Sequence, residues 1–254
     1  MAIHDSYTKE ILEQLNYNAT WLPTVQLAPG DLCDLRGHEM QVVSNLAEFE
    51  IPFELEDPAV ETDIEYSSEG AVSINFKASG DPPPAGSLLD LNDAGVSLSF
   101  SRSQAVVLRM AKCSSRRIKS LQKVGELVLA RHNAGTWPEG YAVVTEIVAA
   151  GASTIIISNG KSAGLDLTAK AGVGTGALNL ASLDAGLQVK RESKIGAKFV
   201  AVPGLTPLVR VSGIQKRFLR PVRFRGAEGT LPTVPRLGGS SPAFGPVDYP
   251  DYST

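Results

Sequence analysis

Three histidines, His4, His38 and His132, are the first residues to ask about chemistry, because imidazole titrates near neutrality and binds metals. None stands in an HxxxH or HExxH arrangement, the spacing that puts two ligands on one helix face. Cys33 precedes His38 closely enough to form a thiolate pair, but a structural cysteine is the simpler expectation. No GxSxG elbow is present. Asn159 to Ser162, "NGKS", has the ending of a phosphate-binding loop. That motif needs a glycine five residues before Gly160, and Ile155 stands there. "GVGTGA", Gly172 to Ala177, leads into a second strand pattern where the dinucleotide fingerprint requires a helix, so a hairpin tip is expected instead. The acidic run "ELEDPAVETDIE" lacks the glycine-centred loop of calcium sites and is expected to be solvated. The expectation is therefore a protein with no catalytic, cofactor-binding or metal-binding residues, not an enzyme.

The composition bounds what remains. The chain has 254 residues, 43% apolar and 20% charged, enough for one sizeable core. No apolar run approaches the 18 or more residues of a transmembrane helix, and the N-terminus carries neither a basic nor an apolar signal region. Two cysteines make no disulfide framework, which suits a reducing, cytoplasmic setting. The net charge of -3 hides an asymmetry: residues 1–66 hold fourteen Asp/Glu against Lys9 and Arg36, whereas residues 190–226 hold ten Lys/Arg against Glu192. The two regions can attract each other in the fold, or the basic one can meet an anionic partner such as lipid headgroups or nucleic acid.

These residues must sit on elements. Asp5 or Ser6 can cap a helix through Leu15. "EMQVV" and "FEIPFELE" suggest short strands, the second at an edge because of Pro52. "AVVLRMAKC" continues as strand. Ile118, Leu121, Val124 and Val128 recur at helical spacing, which predicts one long helix over about Arg116 to His132, capped by Ser114 or Ser115. Gly125 inside it signals close packing. Asn159-Gly160 predicts a hairpin turn between "TIIIS" and "GLDLTAK". "KFVAV" and "PLVRVSGI" are two further strands. After Gly226 the periodicity stops, and a proline-rich tail carries Phe244, Tyr249 and Tyr252 as possible docking anchors.

Two regions alternate with strand period. Val72, Ile74 and Phe76, then Val96, Leu98 and Phe100, carry the apolar face of the first; Leu165, Leu167, Leu178, Leu180, Leu187 and Val189 carry that of the second. Small residues plus Leu and Val make a thin apolar face. An antiparallel sheet with one solvated face explains the alternation, and so does a strand that serves first in a folded monomer and later in a membrane barrel. The expected class is an α+β fold: a twisted antiparallel β-sheet with flanking helices and two extendable β-hairpin regions.

"YAVVTEIV" followed by "STIIIS", the later "GLTPLVRVSGI", and the opening "ILEQLNYNATWLP" resemble stretches of the gasdermin pore-forming domain, in particular its short bacterial members. The order of elements over most of the chain is similar too. The resemblance implies a pore-forming domain over residues 1–226 and an autoinhibitory tail over 227–254. It implies a cytoplasmic latent monomer whose tail is removed by an activating protease. The freed domain would then bind membrane lipids of the inner membrane, self-associate into a large homo-oligomer and insert its two hairpin regions as a β-barrel. Cell death, in bacteria as defence against phage, would follow. Lys216, Arg217, Arg220, Arg223 and Arg225 would form the headgroup-contact or cleavage region. Bacterial members often carry a lipidated cysteine after the initiator Met; here Ala2 stands there, so lipidation is not carried over. In this reading no cofactor and no nucleic-acid partner is expected, and Leu165→Asp or Leu180→Asp should leave the monomer folded while abolishing leakage. The alternative is a non-enzymatic β-rich binding or regulatory module that uses the basic segment 190–226 to hold nucleic acid or a protein partner.

Overall fold

A computed structural model describes residues 2–23, 25–35, 40–170, 180–182, 187–201, 203–216 and 242–247. Its elements run α1 (Ile3–Leu15), β1 (Asn18–Ala19), β2 (Asp31–Asp34), β3 (Gln41–Asn45), β4 (Thr62–Ser67), β5 (Val72–Lys77), β6 (Gly95–Phe100), β7 (Val106–Arg117) and α2 (Leu121–Asn133). They continue with β8 (Tyr141–Ala149), β9 (Ala152–Ser158), β10 (Ala163–Ala169), β11 (Leu187–Ser193), β12 (Ile195–Ala201), β13 (Leu208–Lys216) and β14 (Pro242–Pro246). The fold is α+β, and its strands pair antiparallel throughout the described residues.

Two sheets form. The larger runs β1-β13-β8-β7-β9-β12, with β14 on β13, β2 on β8, β3 on β2, and β4 on β7. The smaller has four strands in the order β11-β10-β6-β5. It folds back over the larger sheet, so Val96, Leu98, Phe100, Leu165, Leu167 and Leu187 pack on Val107 and Ile156. On the opposite face, Tyr7 and Ile11 of α1 cover Val106, Leu108, Met110, Ile155 and Ile157. Strand β9 is therefore buried on both faces. That is why "TIIIS" is continuously apolar while its neighbours alternate. A further core joins Val124 and Val128 of α2 to Leu32, Ile118 and Val143.

Several local expectations are corrected. The second helix begins at Leu121, not Arg116, because Ser114 to Arg117 continue β7 and pair with Glu146 to Ala149. Ser114 and Ser115 are thus strand residues, and Ser120 takes the N-cap position. The first helix begins at Ile3, before Asp5, whose carboxylate instead accepts the Ala2 amide at 3.2 Å. "FEIPFELE" forms no strand. A 3-10 turn, Leu46–Phe49, is capped by the Asn45 side chain and ends at Glu50 in the left-handed region, and beyond it only Leu55 makes a bridge, to Ile118. Leu180 is not on a strand; it lies buried in a short 3-10 turn, Leu180–Ser182. Gly172 to Ala177 and Leu178 lie outside the described residues.

The Asn159-Gly160 hairpin also fails. Strands β9 and β10 do not pair with each other. Residues 159–162 carry the chain from the larger sheet to the smaller one, and the left-handed residue is Ser162, at φ 60°. Each strand of the supposed hairpin finds its partners in a different sheet, which no local turn signal reveals.

Candidate functional site

The strands group into two long ribbons, each bent. In the first, β4 pairs β7 in the larger sheet and β5 pairs β6 in the smaller. In the second, β9 pairs β12 in the larger sheet and β10 pairs β11 in the smaller. The ribbons also pair with each other on both sides of the bend, through β7 and β9 and through β6 and β10. The neighbour order is therefore the same in both sheets: β4-β7-β9-β12 before the bends and β5-β6-β10-β11 after them.

The central register is continuous as well. Val106 opposes Ile157 on one side and Phe100 opposes Ala163 on the other. Residues 101–105 and 158–162 lie between, five on each strand, so the inner strands can straighten without a register slip.

Each of the four bends holds a residue in the left-handed region: Gly70 at φ 62°, Gln104 at 60°, Ser162 at 60° and Lys194 at 54°. Three of the four are not glycine. A side chain there strains the backbone by about 1–2 kcal/mol, and such strain persists only where the surroundings enforce it. Hydrogen bonds do so here. Ser101 N donates to Ala71 O at 2.9 Å, Gln104 N to Ser158 O at 2.8 Å and Asn159 N to Lys194 O at 2.8 Å.

The smaller sheet has two unlike faces. Its apolar face is buried against the larger sheet, as described. Its outer face carries the row Asn75, Ser97, Asp166 and Arg191, one residue per strand. The β5–β6 connection, residues 78–94, is strapped over this face. Asp166, 2% exposed, accepts Ser97 Oγ at 2.7 Å, Ser87 Oγ at 3.0 Å and the Leu88 amide at 2.8 Å. Arg191 donates to Gly86 O at 2.7 Å, and Lys190 pairs Asp93 at 2.6 Å, which holds the Asp93 carboxyl below its usual range. Lys77, buried at the end of β5, donates to the carbonyls of Leu91 at 2.9 Å and Asp93 at 2.7 Å.

Of the apolar residues singled out by alternation, Val96, Leu98, Phe100, Leu165, Leu167 and Leu187 are fully buried, and Val72 and Ile74 are partly so. Phe76 is 62% exposed and Val189 42% exposed. These two lie on β5 and β11, the two edges of the smaller sheet. The burial of Leu165 and Leu180 overturns the expectation that an Asp at either is tolerated: it would place an unpaired charge in the core.

No family model matches this chain, and no curated protein matches it.

The tail residues divide. Phe244 lies on β14, which pairs β13 along Ser212 to Lys216. Its ring lies on Gly125 of α2, where an added Cβ would come within 2.8 Å of Phe244 Cδ1. The mid-helix glycine is thus a notch for a tail side chain. Tyr249 and Tyr252 lie outside the described residues, as do Arg217, Arg220, Arg223 and Arg225; Lys216 closes β13. Elsewhere in the basic segment the cations have internal partners: Lys190 with Asp90 and Asp93, Arg191 with Asp166, Lys198 with Glu192, and Arg210 with Glu146.

The cysteines carry no reactive signature. Burial, with Asp31 nearby, pushes the Cys33 thiol up to about 12, and burial pushes Cys113 up to about 11. His38 lies outside the described residues. Among the described residues, no three His, Cys, Asp or Glu side chains converge as a metal site, and no helix is long and apolar enough to cross a membrane.

Proposed function

We propose that this protein is a latent pore former of the gasdermin type, whose two bent ribbons unfold from the larger sheet and enter a membrane as a four-stranded unit of a β-barrel. The observation that carries this reading is the shared strand order and continuous central register on both sides of four bends, three of them strained. Swinging the smaller sheet out requires no strand to change neighbours. It relieves the left-handed strain, and it frees one apolar face and one polar face, the requirement for a barrel wall.

Four strands per copy also suit assembly. Strands β5 and β11 are the free edges, and an even strand count lets the β11 edge of one copy meet the β5 edge of the next in antiparallel sense. Such head-to-tail contacts close into a ring. Each strand of the smaller sheet has only six or seven residues, while a membrane strand needs about 9–11. The connections within each ribbon supply the remainder, so the strap over Asp166 must release first.

The tail supports latency. Strand β14 covers an edge of β13 and fills the Gly125 notch, so its removal exposes both. The internal pairing of Lys190, Arg191, Lys198 and Arg210 leaves little of the described basic segment for nucleic acid. The test is dye release from anionic liposomes, comparing full-length protein with protein cut at a protease site engineered near residue 226. Leakage only after cutting is the expected result. A cut, folded protein that leaves liposomes intact but binds nucleic acid in a salt-sensitive way would overturn the reading in favour of a binding module.

A further inference from the structure

Helix α1 lies over both ribbons where they bend. Its Glu10 carboxylate accepts Tyr66 Oη at 2.6 Å and Arg102 Nη2 at 3.0 Å, and also takes Ser68 Oγ. Tyr66 is on β4, Ser68 opens the bend that follows it, and Arg102 lies in the bend of the partner strand. One carboxylate therefore ties both strands of the first ribbon at the place where they turn. Ser68 Oγ in turn accepts the Val106 amide at 2.7 Å, which extends the tie to the first residue of β7. One turn earlier on the helix, Ser6 Oγ donates at 2.7 Å to the side chain of Gln104, the strained residue of that bend.

The second ribbon is held by shape. Gly196 follows the strained Lys194 by two residues, and a Cβ there would come within 2.7 Å of Ile3 Cδ1 and 3.0 Å of Asn159 Cβ. Ile3 thus seats in a glycine notch beside both strands of the second bend. The next link is aromatic: Trp21 stacks edge-on against Phe199 of β12 at 5.5 Å and lies 6.1 Å from Tyr7 of α1.

We propose that α1 is a bolt across both bends, and that its withdrawal, led by release of the Glu10 carboxylate, is a step the ribbons must complete before they straighten. The inference rests on the pore-forming reading for its purpose but not for its geometry. Ribbon straightening carries Arg102, which lies on the β6 side of the bend, along the ribbon away from Tyr66 and Ser68, which stay with β7, so one carboxylate cannot hold all three in the extended state. The bolt is also solvated on one side. A cleft of about 360 Å³, lined in part by Lys9, Glu13 and Glu69, opens next to Glu10 and Tyr66. Water can therefore replace the bonds to Glu10 as they break, which lowers the cost of release.

Two measurements test the bolt. In full-length protein, Glu10→Gln removes the charge and keeps the shape. Amide exchange of residues 66–71 and 101–105 is expected to rise by roughly tenfold, the effect of losing one charge-assisted hydrogen bond, with β8 and β13 unchanged. In tail-cut protein, Ser6→Cys with Gln104→Cys, joined by a short bis-maleimide, is expected to abolish liposome leakage, while either single variant leaks normally. Unchanged exchange at the bends in Glu10→Gln overturns the proposal, and so does normal leakage by the cross-linked protein. If tail-cut wild-type protein itself does not leak, the pore reading fails, and the exchange measurement still decides whether α1 fastens the bends.

Discussion

A left-handed backbone costs an L-residue about 1–2 kcal/mol, so Gln104, Ser162 and Lys194 each mark a place where the fold enforces a conformation the chain resists. Ser162 is the cleanest to vary, because it lies in the turn between β9 and β10 and its hydroxyl makes no hydrogen bond to another described residue. Ser162→Gly should stabilise the bent monomer by about 1 kcal/mol, read as a higher urea midpoint, and slow leakage of tail-cut protein. Ser162→Val should do the reverse, because a β-branched residue is worst in that region. A change in stability without a matching change in leakage rate would separate the strain from the function. The cysteines give a second test at this scale. With thiols pushed to about 12 and about 11 by burial, Cys33 and Cys113 stay neutral at pH 8 and should not react with a disulfide reagent in the native protein. Both should react on unfolding. Fast reaction of either in the folded state would contradict its burial.

At the scale of elements, Gly125 sets two effects against each other. Ala in its place gains about 1 kcal/mol of helix propensity but collides with the Phe244 ring. Gly125→Ala should therefore raise the melting temperature of α2's core while loosening β14, seen as faster proteolysis of the tail and faster leakage after cutting is induced. Slower tail proteolysis would show that the ring simply shifts. The glycine was visible in the sequence as a packing signal, but its partner was not, since Phe244 lies more than a hundred residues away in a stretch without periodicity. The alternating strands were equally visible: Val96, Leu98 and Phe100 or Leu165 and Leu167 declare a face by their period. What they face is a long-range matter. The bends carry no sequence signal because Gln104, Ser162 and Lys194 are ordinary residues in left-handed positions, whereas Asn159-Gly160 offers the usual turn signal beside Ser162. Helical spacing starts the second helix too early because Ile118 fits it, while its backbone pairs with Thr145 and its neighbours extend β7. Local pattern lost to a strand partner, as it does where tertiary pairing is available.

Among the described residues the larger sheet is covered on both faces: α1 packs on the outer face, the smaller sheet on the inner face, and β14 closes an edge. The thin apolar face of the ribbons suits the proposed double duty, a core in the monomer and a lipid face in a pore. It must fill a core in the monomer, so its central residues cannot be exchanged for charge, but its edges remain open. In the proposed pore reading, Phe76 and Val189, exposed in the monomer, are the positions that tell the monomer from the barrel. An Asp at either meets water in the monomer and costs little, since surface substitutions stay within about 0.5 kcal/mol. On the lipid face of a barrel, a charge costs up to about 2–4 kcal/mol per copy at midplane depth, repeated around the ring. Phe76→Asp and Val189→Asp should thus keep the native melting temperature and the same tail-cut products, yet reduce leakage at least tenfold. Asn75→Asp, one residue along β5 on the opposite face, should leak normally. If all three variants leak alike, the smaller sheet does not present this face to lipid. If all three are silent, the edge strand is needed for subunit pairing regardless of which way it faces.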